Sequence, residues 1–394
     1  MIINPKSAIR NRQSTRIKVL HLITDLDPGG AEIMLSKLLS AINPEAFEPL
    51  VVSLTGTGLV GKQIEQSGVK ILSLNMPKGR VSLKGFLKLI KFLRREKPDI
   101  LLTWMYHANL LGILSRPFLL HARVVWNIRC SNVEFERYKK LTYWVMKVSA
   151  WLSSLPAIII VNSKKGRESH AALGYHPKKW EIIFNGFDLN RFTIDRSAGK
   201  EVRKELGIGD ETLVIGLISR FDYMKDHETF LTAAQLLGGK YPDVCFLLAG
   251  EEVTAENKFF TPYLHDIKMK DRLILLGFRE DIPRILNALD ISTSSSSGEG
   301  FPNIIGESMA CGIPCIVTDV GDSAFLVGET GILVPPRDPA ALMEGWAELI
   351  AKEETGRQTL GLAARDRISR LFSIEKITQQ YETLFRQVLS LNRD

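Results

Sequence analysis

Apolar residues recur along this chain as short, nearly unbroken runs separated by amphipathic stretches of helical length. Ile17–Thr24 (IKVLHLIT), Leu50–Leu54, Val69–Leu74, Ile100–Thr103, Val124–Asn127, Ile158–Asn162 and Trp180–Phe184 read as strands. Continuous rather than alternating hydrophobicity marks parallel strands buried on both faces. The turn Asn185-Gly186-Phe187-Asp188 breaks the series, and the polar segment that follows, as far as Lys200, reads as an interdomain linker. A second series then predicts strands at Leu213–Ser219, Val244–Ala249, Leu273–Leu276, Leu289–Thr293, Ile313–Thr318 and Gly331–Val334. Helices are predicted over Ala31 to Ile42, after Asp226 to Leu237, from Asp281 to Leu289, from Pro302 to Gly312 and from Pro339 to Lys352. Ser373 caps a last amphipathic helix with Ile374, Ile377, Tyr381, Leu384, Phe385 and Val388 on one stripe. The pattern predicts an α/β protein of two doubly wound, Rossmann-like domains facing across a cleft.

The densest punctuation lies in Ser294–Asp319 (SSSSGEGFPNIIGESMACGIPCIVTD), a predicted strand, loop, helix and strand. Glu299 falls in the loop and Glu307 about a turn and a half into the helix, both near a helix N-terminus whose free N–H groups attract anions. That combination suits a ligand that is both phosphorylated and rich in hydroxyls, although an ordinary serine loop reads similarly in isolation. The serines themselves receive no role beyond the turn. Arg220 ends the first strand of the second series and Lys225 follows five residues later. A guanidinium fork and an ammonium at one sheet edge are suited to phosphate oxygens. His107 follows the Ile100–Thr103 strand and is a candidate polar contact.

Two further glycine turns compete for attention. Pro28-Gly29-Gly30 follows the first strand and could bring backbone N–H groups to a phosphate. Gly56-Thr57-Gly58-Leu59-Val60-Gly61 spells a dinucleotide fingerprint but has no acidic residue about twenty positions on, so it reads as a loop coincidence.

Charge is unevenly divided: Met1–Asn190 carries 28 Lys+Arg against 13 Asp+Glu, and the remainder 23 against 31. A basic first half points to a phosphorylated ligand, nucleic acid or an anionic membrane. Lys78–Lys97 (KGRVSLKGFLKLIKFLRREK) is a basic amphipathic helix able either to pack on the sheet or to lie on an anionic bilayer. Arg129 and the segment Phe135–Trp151 form a second basic and apolar rim. Without an aromatic-interleaved basic motif, nucleic acid is disfavoured. Cys130, Cys245, Cys311 and Cys315 lack zinc-ligand spacing and read as reduced thiols of a cytoplasmic protein. Tyr143–Val161 is too interrupted for a membrane span, and residues 1–16 read as a disordered basic tail.

The segments GLISRFDYMKD, LLAGEE, LLGFREDIPRIL and SGEGFPNIIGESMACGIPCIVTD, with GGAE near the start and NGFDLNRF in the middle, resemble the retaining GT-B glycosyltransferases of glycosyltransferase family 4. The resemblance covers nearly all of the chain past Ile17. It implies an acceptor-binding domain over 17–187, a nucleotide-sugar-binding domain over 188–371, and a final segment, 372–394, returning to the first domain. By that likeness Arg220 and Lys225 neutralise the donor diphosphate, with the N–H groups of Asn303 and Ile304 at the helix start. Glu307 holds the ribose and Glu299 the sugar. Gly30 closes over the phosphates, His107 touches the sugar or the developing charge, and Phe278 lines the base pocket through its backbone.

The resemblance further implies transfer with retention, the leaving phosphate taking the acceptor's proton, and no cofactor besides the nucleotide-sugar co-substrate. The Asp25-Leu26-Asp27 element is expected to lie away from the phosphates and the reaction to be metal-independent. The expected partners are a UDP- or GDP-sugar and a saccharide, lipid-linked in cell-surface polysaccharide or lipopolysaccharide synthesis, with membrane contact through 78–97 at the inner face. The rival functions are a GT-B sugar-nucleotide epimerase and a non-catalytic binding module.

Overall fold

A computed structural model describes residues 16–77, 82–119, 121–131, 140–266 and 269–391. The first domain is a parallel sheet of seven strands: β1 (Ile17–Ile23), β2 (Phe47–Ser53), β3 (Lys70–Ser73), β4 (Ile100–Trp104), β5 (Arg123–Ile128), β6 (Ile158–Val161) and β7 (Trp180–Ile182), in the order β3-β2-β1-β4-β5-β6-β7. The second has six parallel strands: β8 (Leu213–Ile218), β9 (Val244–Ala249), β10 (Leu273–Leu275), β11 (Ile291–Ser294), β12 (Cys315–Thr318) and β13 (Gly331–Val334), in the order β10-β9-β8-β11-β12-β13. All thirteen strands fall within or beside the predicted runs, because an uninterrupted apolar strand can only satisfy its two faces between helices. In both sheets the order reverses beside the first strand, which opens a crevice at the carboxyl edge.

Helices α1 (Gly30–Ala41) and α2 (Gly58–Gln66) pack on one face of the first sheet, and α3 (Leu83–Glu96), α4 (Met105–Ser115) and α5 (Lys140–Trp151) on the other. Of the dinucleotide-like glycines, Gly56 lies in the loop as read, while Gly58 and Gly61 fall within α2, a difference from the sequence reading. Gly58 has φ +54, and a side chain there would overlap the backbone of Leu26, so packing of the neighbouring turn accounts for the glycine. Helix α6 (Lys164–Ala172) follows β6. The tail 1–15, residues 78–81 of the basic helix and 132–139 of the second rim lie outside the described residues.

The predicted linker is shorter than expected. Helix α7 (Arg196–Glu205) already starts within it, capped by the Asp195 carboxylate on the Ala198 N–H, and Phe192 is buried. The second sheet is flanked by α8 (His227–Gly238), α9 (Thr261–Leu264), α10 (Ile282–Asn287), α11 (Asn303–Ala310), α12 (Ser323–Val327), α13 (Pro339–Ala351) and α14 (Glu353–Phe372). The 20-residue α14 escaped the sequence reading because its apolar positions are sparse. The last helix, α15 (Ile374–Ser390), places its predicted stripe in the core of the first domain.

The chain thus crosses between domains twice, and the two crossings lie side by side. The Phe187 N–H donates to the Phe372 carbonyl at 2.9 Å, and the Ile374 N–H donates to the Phe187 carbonyl at 2.9 Å. The Phe187 ring is fully buried against Gly306 of α11, where a Cβ would overlap it. We expect Phe187→Ala to lower the unfolding free energy by about 3–5 kcal/mol, measured by denaturant titration; a loss below about 0.5 kcal/mol would show that the ring does not anchor the crossing.

Candidate active site

The carboxyl edge of the second sheet gathers most of the candidate residues on loops. Arg220 follows β8, Lys225 ends the single turn Tyr223–Lys225, Phe278 follows β10, and Ser295–Phe301 follows β11. Lys225 is ion-paired with Glu299, and the Ser296 hydroxyl donates to the same carboxylate oxygen at 2.8 Å. The serine run has a task that sequence alone did not reveal. The Ser295 hydroxyl donates to the carbonyls of Lys225 at 2.9 Å and Asp226 at 3.0 Å, and the Ser297 N–H donates to the Met224 carbonyl at 2.8 Å. The loop is thereby fastened to the turn that carries Lys225, so cation and carboxylate are held in register before any ligand arrives. The Arg220 side chain is 66% exposed and among the described residues pairs with Asp222 alone, at 3.4 Å, which leaves its fork available to a ligand. Phe278 is 67% exposed, its ring unpacked in the loop that follows β10.

Helix α11 begins at Asn303 and no side chain among the described residues caps it, so its first N–H groups are of the kind that can take an anion. Asn303 is held from the other domain: its Oδ1 accepts from Asn185 Nδ2 at 2.6 Å. Gly30, the first residue of α1, faces the same side chain, with 3.8 Å between its would-be Cβ and Asn303 Nδ2. Ile304 is half-buried beside it. One turn on, Glu307 pairs with Lys37 of α1 at 3.2 Å, and both side chains are largely shielded. Both candidate carboxylates therefore rest on lysines, one from each domain.

Further contacts close the cleft. The Ser131 hydroxyl donates to the Glu299 carbonyl at 2.6 Å. The Asp322 carboxylate accepts from the N–H groups of Lys164 at 2.7 Å and Lys165 at 3.0 Å, capping α6 across the domain boundary. His107 lies in the first turn of α4, where Met105 takes φ +68 to turn sharply out of β4. Burial lowers the pKa of His107, so its imidazole is neutral at neutral pH and can offer a hydrogen bond without a charge.

Residues 28–191 match the Glycosyltransferase Family 4 model and residues 212–352 the Glycosyl transferases group 1 model, together most of the chain. The chain belongs to the family 4, group 1 glycosyltransferases. Its fold is that of GT-B glycosyltransferases. The Escherichia coli UDP-Gal:alpha-D-GlcNAc-diphosphoundecaprenol alpha-1,3-galactosyltransferase is 31% identical over 62% of this chain and 64% of its own length, so the match spans just under two thirds of that relative. A Campylobacter jejuni N-acetylgalactosaminyltransferase acting on a diphospho-undecaprenol saccharide is 24% identical over 84% of this chain and 90% of its own. The solved structure of Anabaena HepE with UDP-glucose superposes with a TM-score of 0.78 at 23% identity, covering 94% of this chain and 99% of that one.

Within this family 4 site, several residues were invisible to sequence reading because their partners are far away in the chain. Lys37, Ser131 and Asp322 each act across the domain boundary with no local motif to mark them, and Asn185, read only as the first residue of a turn, does the same. Arg129, expected on an outer rim, instead sits inside. It donates to Tyr381 Oη of α15 at 2.8 Å and to Asn127 Oδ1 at 3.3 Å, bonds Asn185 Oδ1, and lies 5.8 Å from the Trp104 ring. Desolvation pulls its pKa down while the Tyr381 hydroxyl opposes that shift, and through these bonds the half-buried guanidinium braces α15 through Asn185 to Asn303.

Beside Gly29, burial raises the Glu32 pKa to about 7, opposed by a backbone hydrogen bond and reinforced by Asp25 and Asp27. The folded state therefore favours the protonated acid. Stability from this group is complete below the unfolded value near 4.5 and is lost as pH rises through about 7. Glu32→Gln should raise the melting temperature by about 2 °C at alkaline pH and leave it unchanged in acid; calorimetry across that range checks it, and a pH-independent difference would contradict it.

Proposed function

We propose that this protein is a retaining, metal-independent glycosyltransferase that moves a hexose-type sugar from a UDP- or GDP-sugar to a lipid-linked saccharide. The setting is cell-surface polysaccharide or lipopolysaccharide synthesis at the cytoplasmic face of a membrane. One observation carries the reading: Lys225 paired with Glu299, and the uncapped α11 with Glu307, meet the first domain at a single closed cleft. Donor and acceptor class are supported by the E. coli relative, whose name gives a UDP-sugar and a diphosphoundecaprenol-linked acceptor.

In this reading donor binding exchanges partners. The diphosphate takes Arg220, Lys225 and the N–H groups of Asn303 and Ile304, which together supply its counter-charge without a metal ion. The ribose hydroxyls go to Glu307 and a sugar hydroxyl to Glu299. Gly30 lets the α1 turn approach the phosphates, His107 donates to the sugar as charge develops, and the backbone at Phe278 borders the base. The bond between the anomeric carbon and the phosphate oxygen breaks, the acceptor oxygen bonds that carbon from the same face, and its proton passes to the leaving phosphate oxygen. Glu299 is a hydroxyl acceptor in this reading and no protein nucleophile is required; the Ser296 hydroxyl keeps its bond to the carboxylate when Lys225 turns to the diphosphate. In this reading the exposed cations of α3, Lys84, Lys88, Lys91 and Arg94, would meet anionic headgroups.

The test is nucleoside diphosphate release from a panel of sugar nucleotides, with lipid-linked acceptors and chelator present. Acceptor-dependent release is expected; no donor binding or turnover anywhere in the panel overturns the reading, as does acceptor-free conversion of the donor to its epimer. Glu307→Ala should raise the donor KM about tenfold with kcat little changed, and Glu299→Ala should cut kcat about a hundredfold. Equal effects of the two on both constants would contradict the division of roles.

A further inference from the structure

Two peptide groups at the edge of the cleft are held from both domains at once. Glu299 and Gly300 lie in the loop between β11 and α11, and their carbonyls have different partners. The Glu299 carbonyl accepts from the Ser131 hydroxyl of the first domain at 2.6 Å. The Gly300 carbonyl accepts from the Asp322 N–H, in the turn before α12, at 2.9 Å.

Packing leaves this backbone little slack. Gly321 takes φ +60, and a side chain there would overlap the Glu299 carbonyl. A Cβ on Gly300 would lie 2.9 Å from Ser131 Oγ. The two glycines thus let the Asp322 turn and Ser131 close directly on the backbone that carries the Glu299 carboxylate.

The side chain of Asp322 reaches the other way. It is only 4% exposed, and its carboxylate accepts from the N–H groups of Lys164 at 2.7 Å and Lys165 at 3.0 Å, the first two donors of α6. Ser163 takes the third, that of Gly166, at 2.9 Å. A shielded carboxylate at the positive end of a helix makes charge-assisted bonds, stronger than those between neutral groups. One residue therefore grips a first-domain helix with its carboxylate and the Glu299–Gly300 backbone with its N–H.

We propose that Asp322 is a positioning residue for the sugar end of the site. Seated on α6, with Ser131 as its counterpart, it fixes the Glu299–Gly300 backbone and so aims the Glu299 carboxylate. The inference rests on the transferase reading, in which Glu299 takes a hydroxyl of the transferred sugar. Arg220 follows β8 and Glu307 lies within α11, and among the described residues neither bonds to Asp322. Loss of Asp322 therefore falls on the chemical step and spares nucleotide binding.

The experiment pairs hydrogen exchange with kinetics on the full chain. First-turn amides of a helix have no intrahelical partner, so slow exchange at Lys164 and Lys165 reports the seating without any substrate. The wild type should protect them, and Asp322→Ala should exchange there about tenfold faster or more. With the UDP- or GDP-hexose that the wild type turns over, Asp322→Ala should cut kcat about tenfold or more, with the donor KM and the affinity for free UDP or GDP within about twofold. Asp322→Asn, which keeps one acceptor oxygen, should fall between the two. Lys164→Pro, measured against Lys164→Ala, removes one of the two N–H groups and leaves Asp322 in place. Proline suits a first helical position, and Ser163 before it is already extended at φ −157 and ψ 154. This variant should show the same kcat loss, should add nothing to that of Asp322→Ala, and carries the test if Asp322→Ala does not fold. Unprotected Lys164 and Lys165 amides in the wild type overturn the seating, whatever the turnover. An unchanged kcat in Asp322→Ala, or a rise in donor KM as large as the fall in kcat, overturns the positioning role while the transferase reading stands. A wild type inactive on every donor overturns that reading and the positioning role together, and the exchange result then speaks for the seating alone.

Discussion

A cluster of phenylalanines under the β11–α11 loop ties together everything that has to be held in place. Phe184 and Phe187 arrive from the end of the first domain, Phe301 from the loop itself, Phe325 from α12 and Phe372 from the end of α14, with ring centroids between 5.0 and 6.2 Å apart. Aromatic pairs of this kind contribute about 0.5–1.5 kcal/mol each beyond simple burial. Their position matters more than the sum. Phe301 lies between Glu299 and Asn303, so the residues that would meet sugar and phosphate hang from a dry hinge core shared by both domains.

Above that core the cleft is governed by electrostatics. Each candidate carboxylate has a lysine, Lys225 for Glu299 and Lys37 for Glu307. Such a pair spares each charge the cost of lying unpaired and half-desolvated while no ligand is there. A ligand that brings its own anion and its own hydroxyls replaces both partners at once. In the proposed reading, because the Lys37–Glu307 pair spans the domains, donor binding at Glu307 would also break a contact between them. The Arg129 brace, from Tyr381 through Asn185 to Asn303, adds a second route by which the returning helix α15 sets the start of α11.

The sequence was most informative wherever the physical cause is local. Continuous apolar runs mark parallel strands, an Asp or Ser before an amphipathic stretch marks a cap, and the placement of Arg220, Lys225, Glu299 and Glu307 after strands of one sheet follows from strand polarity alone. Where the cause is distant, local reading failed. The serine run looked like filler because its hydroxyl partners lie on the Lys225 turn, some 70 residues away in sequence. Arg129 looked like part of a basic rim because nothing nearby announces that α15 returns to bury it. Helix α14 was overlooked since its contact with the second domain uses only a few widely spaced apolar positions, among them Ala364, Ile368 and Phe372.

By itself, then, the amino-acid order determined the two parallel sheets, the amphipathic stripe of the last helix and a set of groups suited to a phosphorylated, hydroxyl-rich ligand, because hydrophobic period, caps and strand ends are properties of neighbouring residues. Tertiary structure alone decided which of those groups are paired before a ligand binds and which domain supplies the partner. Those outcomes depend on distances between residues far apart in the chain, and only the packed fold sets them.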